Sequence, residues 1–329
     1  MMIEQGEPPT FTSASFATLT GFYHPKPLRI KTVLVPIDFA TASMQALDYA
    51  IPLARQFDSA IHLVHVQYKD DSSSSATAHL MRDMAQKRAR IRDRLAKVPG
   101  EHTTPFRAEN CHVCFGIPHE EIVKLAGDIK ADLIVLSSRG HTGLPRVVMG
   151  STAERVVRHA ACPVLVTRQR PRGEEDRRIS GSTISLGKIL VPLDFSDCAL
   201  EGLAYALSFA KAWVAKILLF HAIYPPIDFV ADRVTGLLPH LRADEEGAAK
   251  KQMRDIMAKI SSEEAQCEFE ITIGPPISEI CRRSDRPDID LIITSTHGRT
   301  GFEHALMGSV AEQVVRYAGC PVLTVPTRR

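Results

Sequence analysis

The chain has 329 residues, 44% of them apolar and 24% charged, which is ordinary for a soluble globular protein and long enough for two domains. Forty basic and thirty-eight acidic side chains leave a net charge of +2, no electrostatic footprint for a nucleic acid, and 6% aromatics give few platforms for base stacking. No apolar run reaches the length of about 18 residues that predicts a membrane span, and the opening MMIEQGEPPTFTSASF lacks the basic and apolar regions of a secretory signal.

In chain order, residues 1–28 are rich in Pro, Thr and Ser and read as a flexible tail. Residues 32–37 form a short apolar, β-branched strand. Thr41 is placed to cap a helix with Ala46, Leu47, Ala50, Ile51 and Ala54 on one face. A strand over 60–66 follows, then a polar loop over 69–78 and a charged helix over 77–98. Next come a strand over 106–113, a helix over 118–126 opening with Pro118, and a fully apolar strand over 131–136. A helix over 150–160 and a strand over 163–167 close the first half. The second half repeats the pattern, with strands near 188–193, 216–221, 267–273, 289–294 and 321–325. Strands apolar on both faces, alternating with helices, predict an α/β fold: two tandem doubly wound five-stranded parallel sheets with helices on both faces.

The halves are copies. VLVPIDFA (33–40) matches ILVPLDFS (189–196), DLIVLSSRGHTG (132–143) matches DLIITSTHGRTG (290–301), and VMGSTAERVVRHAACPVLV (148–166) matches LMGSVAEQVVRYAGCPVLT (306–324). The predicted organisation is therefore a domain over 29–168, a linker over 169–186 and a second domain over 187–329. The linker's dense mixed charge, Pro and Gly read as a segment unable to bury a core.

Seven scattered cysteines suit a reducing cytoplasm better than a disulfide framework. Cys111 and Cys114 form a CxxC, but on an alternating strand their thiols face opposite ways, and no second ligand pair completes a zinc site.

Doubly wound sheets bind ligands beyond the carboxyl ends of their strands. There, in each half, an apolar strand runs into a glycine-bearing loop and then a helix: Ser137, Gly140, then Gly150, Ser151 and Thr152; in the second half Ser295, Gly298, then Gly308, Ser309 and Val310. Glycine lets the backbone approach an anion, the first N–H groups of a helix are unpaired, and a serine adds a hydroxyl. Such a loop holds phosphate, or merely shapes a turn. Asp38 and Asp194, at the ends of the first strands, accept hydrogen bonds from ribose hydroxyls or cap the following turn. Neither half carries a P-loop or a GxGxxG fingerprint.

Together, VPxDF, the His65-Val66 and His221-Ala222 pairs, GxPxxEI, S-x2-G-x9-G-S and the CPVL strand resemble the universal stress protein family over both halves. The resemblance implies an adenine nucleotide alpha hydrolase-like fold and a nucleotide-binding branch whose loop is G-x2-G-x9-G-[ST]. It places Asp38 and Asp194 on the nucleoside, Val66 and Ala222 at a backbone contact to adenine, and the serine and glycine residues of each loop on ribose and phosphates. Ser137 and Ser295 replace the motif's first glycine. The implied ligand is ATP, with ADP or AMP as alternatives and with or without Mg²⁺. The last strands of the two halves are expected to pair as an intramolecular pseudo-dimer, and a homodimer of whole chains stays open.

Pro145-Arg146 corresponds to Glu303-His304, so the first site is expected to bind ATP more tightly. His141, His297 and His304 lie in or beside the loops, but phosphoryl transfer also needs a positioned nucleophile and a metal clamp. The expected function is an ATP-binding stress-response regulatory protein. A nucleotide-free scaffold and a slow ATP hydrolase are the alternatives.

Overall fold

The computed structural model describes residues 28–68, 78–97, 108–138, 149–168, 176, 178–180, 183–224, 238–260, 265–296 and 308–327. The first half runs β1 (Thr32–Pro36), α1 (Thr41–Phe57), β2 (Ala60–Gln67), α2 (Ala78–Lys97), β3 (Cys111–Phe115), α3 (Pro118–Asp128), β4 (Leu133–Ser137), α4 (Ser151–His159) and β5 (Val164–Thr167). A short hairpin, β6 (Ile179–Ser180) and β7 (Thr183–Ile184), leads into the second. There β8 (Lys188–Pro192), α5 (Asp197–Trp213), β9 (Lys216–Ile223), α6 (Leu238–Met257), β10 (Cys267–Ile273), α7 (Pro276–Ser284), β11 (Leu291–Ser295), α8 (Ser309–Tyr317) and β12 (Val322–Val325) repeat the order.

Each half is the expected five-stranded parallel sheet, in order β3-β2-β1-β4-β5 and its counterpart β10-β9-β8-β11-β12. The last strands pair antiparallel, Leu323 opposite Leu165, so the halves share one ten-stranded sheet. Strand residues alternate between two cores. Val33, Val35, Ile189 and Val191 face α1, α2, α5 and α6, whereas Leu34 and Leu190 face α3, α4, α7 and α8. Both faces being covered is why β1, β4, β8 and β11 are mostly apolar on both faces.

Three expectations change. The strand placed over 106–113 begins at Cys111, after a 3-10 turn over Ala108–Asn110, because pairing with β2 starts where Cys111 meets Leu63. Thr41 does not cap α1: Ala40 occupies that position without a side-chain bond, and Asp38 Oδ1 accepts from the Ala40 N–H at 2.9 Å instead. The linker is partly built into the core. Ile184 and Leu186 are buried in the first cluster, while Asp176 and Arg178 pair at 3.2 Å over the hydroxyl of buried Tyr49. Mutual pairing lets the charges accompany two aliphatic side chains inward. Burial, and then Asp176, push the Tyr49 phenol well above its usual range.

The join is held on both faces. The Phe57 ring lies 6.2 Å from Trp213 and 6.4 Å from Phe209, and Gln56 Nε2 donates to Ala212 O at 2.8 Å. From the end of β5, Arg168 donates to Cys320 O at 3.0 Å and Val314 O at 3.3 Å. On the opposite face Glu154, Arg158, Glu312 and Arg316 interlock.

Candidate functional site at the carboxyl ends of the strands

Strand order reverses between β1 and β4, and between β8 and β11, and such reversals are where doubly wound sheets offer a crevice at the carboxyl ends of their strands. Asp38 and Asp194 stand at these points. Asp38 Oδ1 accepts from Ser43 Oγ at 2.5 Å besides the Ala40 N–H, and Asp194 Oδ1 accepts from the Ser196 N–H at 3.0 Å and its hydroxyl at 2.6 Å. One oxygen of each carboxylate therefore shapes the turn into the following helix.

That turn holds Phe39 and Phe195 at φ 64, a left-handed conformation that bulky residues rarely adopt. Both rings pack on a histidine, Phe39 at 4.9 Å from His65 and Phe195 at 4.5 Å from His221. His65 Nδ1 lies 2.7 Å from Ile37 O, and His221 Nδ1 lies 2.7 Å from Leu193 O. A carbonyl only accepts, so in each ring Nδ1 carries the proton. The histidines thus fix the backbone on either side of the strained turn. Sequence reasoning gave them no role; their recurrence at one position in both halves was the available signal.

The described residues of the expected anion sites lie at the ends of β4 and β11 and the starts of α4 and α8. Ser137 and Ser295, which replace the motif's first glycine, are buried, at 8% and 6% exposure. Just beyond them, the Ser138 and Thr296 N–H groups donate to Thr167 O and Val325 O, both at 3.0 Å. Ser138 O then accepts from the Gly150 N–H at 2.8 Å, and Thr296 O accepts from the Gly308 N–H at 2.7 Å. One backbone bond thereby closes each loop and sets the start of α4 or α8 beside the crevice. Gly150 and Gly308 occupy the N-cap positions with no side-chain cap bond, whereas Ser196 caps α5 through its hydroxyl. Ser151, Ser309 and Val310 are exposed in the opening turns, and Thr152 is half-buried. Gly140, Gly298, Arg146, Glu303 and the loop histidines His141, His297 and His304 lie outside the described residues.

Val66 and Ala222, both half-buried, are the penultimate residues of the second strands, on the face covered by α3, α4, α7 and α8. Exposed tyrosines, Tyr68 and Tyr224, follow them two residues on. Beyond β3 and β10, Gly116 and Gly274 take φ +156 and +153, and a Cβ on either would meet the side chain of Glu121 or Glu279 within 3.0 Å. Glycine is required at both turns. Cys111 and Cys114 pack into different cores and so lie on opposite faces of the sheet, which prevents their joint ligation of a metal. Among the described residues no helix is long and apolar enough to cross a membrane.

The fold defines a tandem α/β protein of the adenine nucleotide alpha hydrolase-like class. Known proteins agree. The model of the universal stress protein family matches residues 29–168 and 186–326. A universal stress protein of Methanocaldococcus jannaschii is 32% identical over 146 residues, covering 42% of this chain and 82% of that protein. Universal stress protein G of Escherichia coli O157:H7 is 32% identical over 143 residues, covering 42% of this chain and 99% of its own length. The crystal structure of a universal stress protein from Archaeoglobus fulgidus superposes with a TM-score of 0.58 at 20% identity, covering 91% of this chain and 97% of that one. The chain belongs to the universal stress protein family, in its tandem two-domain form.

Proposed function

We propose that this chain is a stress-response regulatory protein that binds an adenine nucleotide, foremost ATP, in each crevice. One observation carries the reading: in both halves a helix without a side-chain cap begins at the switch point, tied there by the Gly150 or Gly308 bond. Its first N–H groups lack intrahelical partners and carry the positive end of the helix dipole, the donors a phosphate needs. In this reading Ser151, Thr152, Ser309 and the Val310 backbone, with Gly140, Gly150, Gly298 and Gly308, receive phosphates. Asp38 and Asp194 receive ribose beside Ser137 and Ser295, and the Val66 and Ala222 backbones receive adenine. Mg²⁺ would sit with the phosphates and neutralise their charge. Nucleotide recognition then rests on main-chain donors, which a chain of near-neutral net charge can supply. In this reading the role is binding, with slow hydrolysis as the alternative.

The test is thermal denaturation of the full chain with ATP, ADP and AMP, with and without Mg²⁺, alongside mass spectrometry of nucleotide carried through purification. A ligand that binds only the native state raises its midpoint with concentration. Up to two nucleotides per chain are expected. The reading fails if millimolar nucleotide leaves the midpoint unmoved and none co-purifies, and the scaffold alternative then stands. A phosphate-release assay isolates the slow hydrolase.

A further inference from the structure

The two helices that open at the crevices meet across the join. Glu154 lies in the first turn of α4 and Glu312 in the first turn of α8. A carboxylate there competes with a bound anion for the positive helix end and repels it. Each is met by two guanidinium groups, and the one from the other half is nearer. Arg316 Nη2 is 2.9 Å from Glu154 and Arg158 Nη2 is 3.1 Å from Glu312, against 3.3 Å for Arg158 to Glu154 and 3.5 Å for Arg316 to Glu312. All four side chains are between a quarter and a third exposed, so solvent screens them only in part. Arg158 Nε and Arg316 Nε are buried with no hydrogen-bond partner among the described residues. The guanidinium groups thus give up a donor to hold this crossed arrangement.

We propose that Arg316, in the second half, sets the anion affinity of the first crevice by neutralising Glu154, and that Arg158, in the first half, does the same for the second crevice through Glu312. These are positioning residues that touch no nucleotide. The inference rests on the nucleotide reading above and adds to it that each crevice is tuned by the opposite half.

The test is photo-cross-linking of the full chain with 8-azido-ATP, with occupancy of each half read from its labelled peptides across a titration. Arg316→Met is expected to raise the half-saturating concentration of the first half by about three- to tenfold, the range for exposing one partly screened charge near an anion, and that of the second half by less, since Arg316 lies farther from Glu312. Arg158→Met is expected to do the reverse. Adding Glu154→Gln to Arg316→Met removes the unmatched charge and should restore the first half, which damage to the fold would not permit. A larger loss at the substituted half's own crevice, equal loss at both, or failure of the rescue overturns the proposal alone. Absence of specific labelling in the unsubstituted chain overturns the nucleotide reading, and this proposal with it.

Discussion

The two halves agree at one end of the sheet and differ at the other. At the carboxyl ends each keeps a phenylalanine at φ 64, a histidine bonded to the carbonyl before the aspartate, and the backbone bond that closes the glycine loop. Away from the crevices the chemistry diverges. His62 Nδ1 and His112 Nε2 sit 2.9 Å apart on β2 and β3. In the second half Leu218 stands at the position of His62 on β9, and on β10 Glu270 takes part in an ion pair network with Arg283 and Asp288. The strained turns have one workable geometry, so any change there moves the crevice. At the far end a polar group needs only a partner, and several chemistries supply one.

The largest predicted effect breaks the join that makes the comparison possible. Leu323 is 1% exposed opposite Leu165. Leu323→Asp buries a charge in the shared sheet and is expected to cost about 4 kcal/mol or more. Chemical denaturation should show a collapsed midpoint, or separate transitions for the halves; an unchanged single transition would count against a common core.

Next comes Arg283→Leu, which gives the second half the residue that stands at this place in the first, Leu125. Arg283 is nearly buried and holds Asp288 through both Nη atoms, at 2.9 and 2.8 Å, and Glu270 at 2.8 Å. Both carboxylates are partly exposed and can rehydrate, so the loss at pH 7 should be about 1–3 kcal/mol. Hydrogen bonds from Arg283, and then Lys188, hold the Asp288 carboxyl well below the usual carboxylate range. A depressed folded-state pKa gives stability that is complete above about pH 4 and lost as pH falls further. The variant's midpoint should therefore decline less steeply through that acid window.

The first half titrates in a different window. Burial lowers the pKa of His62; His112 is lowered by burial, then by His62, Arg92 and Arg88. The folded state thus takes up fewer protons than the unfolded chain once pH drops below about 6.5, and stability falls there. His62→Leu, the second half's own choice, should flatten the decline between about pH 6.5 and 5 while leaving the lower window intact. Melting curves across pH on both variants separate the two limbs, and an unaltered upper limb would show the histidine pair to be inert.

Much of this was legible in the sequence. The repeat and the parallel sheets follow from apolar runs punctuated by Pro, Gly and capping residues, which act locally, while the pairing of the last strands was implied by the family resemblance. What was hidden is non-local. Tyr49 is separated from Asp176 and Arg178 by most of a domain, and only the folded chain shows that its hydroxyl joins that neutralised pair as Ile184 is carried inward. Asp38 looked like a ligand contact or a cap. It shapes the turn through Ser43, five residues on, whereas Asp194 uses Ser196, two residues on. The same task met at two spacings leaves no fixed motif to read. Glu154 and Arg158 stand four residues apart on one helix, yet their nearer contacts belong to the other half, which the linear sequence does not place.

The smallest effect concerns a position where the halves solve one problem unequally. Helices α1 and α5 both end in a left-handed residue, Asp58 at φ 52 and Val214 at φ 54. Asp tolerates this conformation, but a β-branched residue meets its own carbonyl there. Val214 is 93% exposed, so its side chain gains no packing in return. Replacing it with Gly relieves about 1–2 kcal/mol of backbone strain. Glycine's greater freedom in the unfolded chain takes back about 0.5–1 kcal/mol. Val214→Gly should therefore stabilise the protein by about 0.5–1 kcal/mol, and Asp58→Gly by less, since only the entropy cost remains large there. Urea denaturation with an unchanged slope is the measure. Equal gains at both sites would mean that strain at Val214 is already absorbed elsewhere in its half.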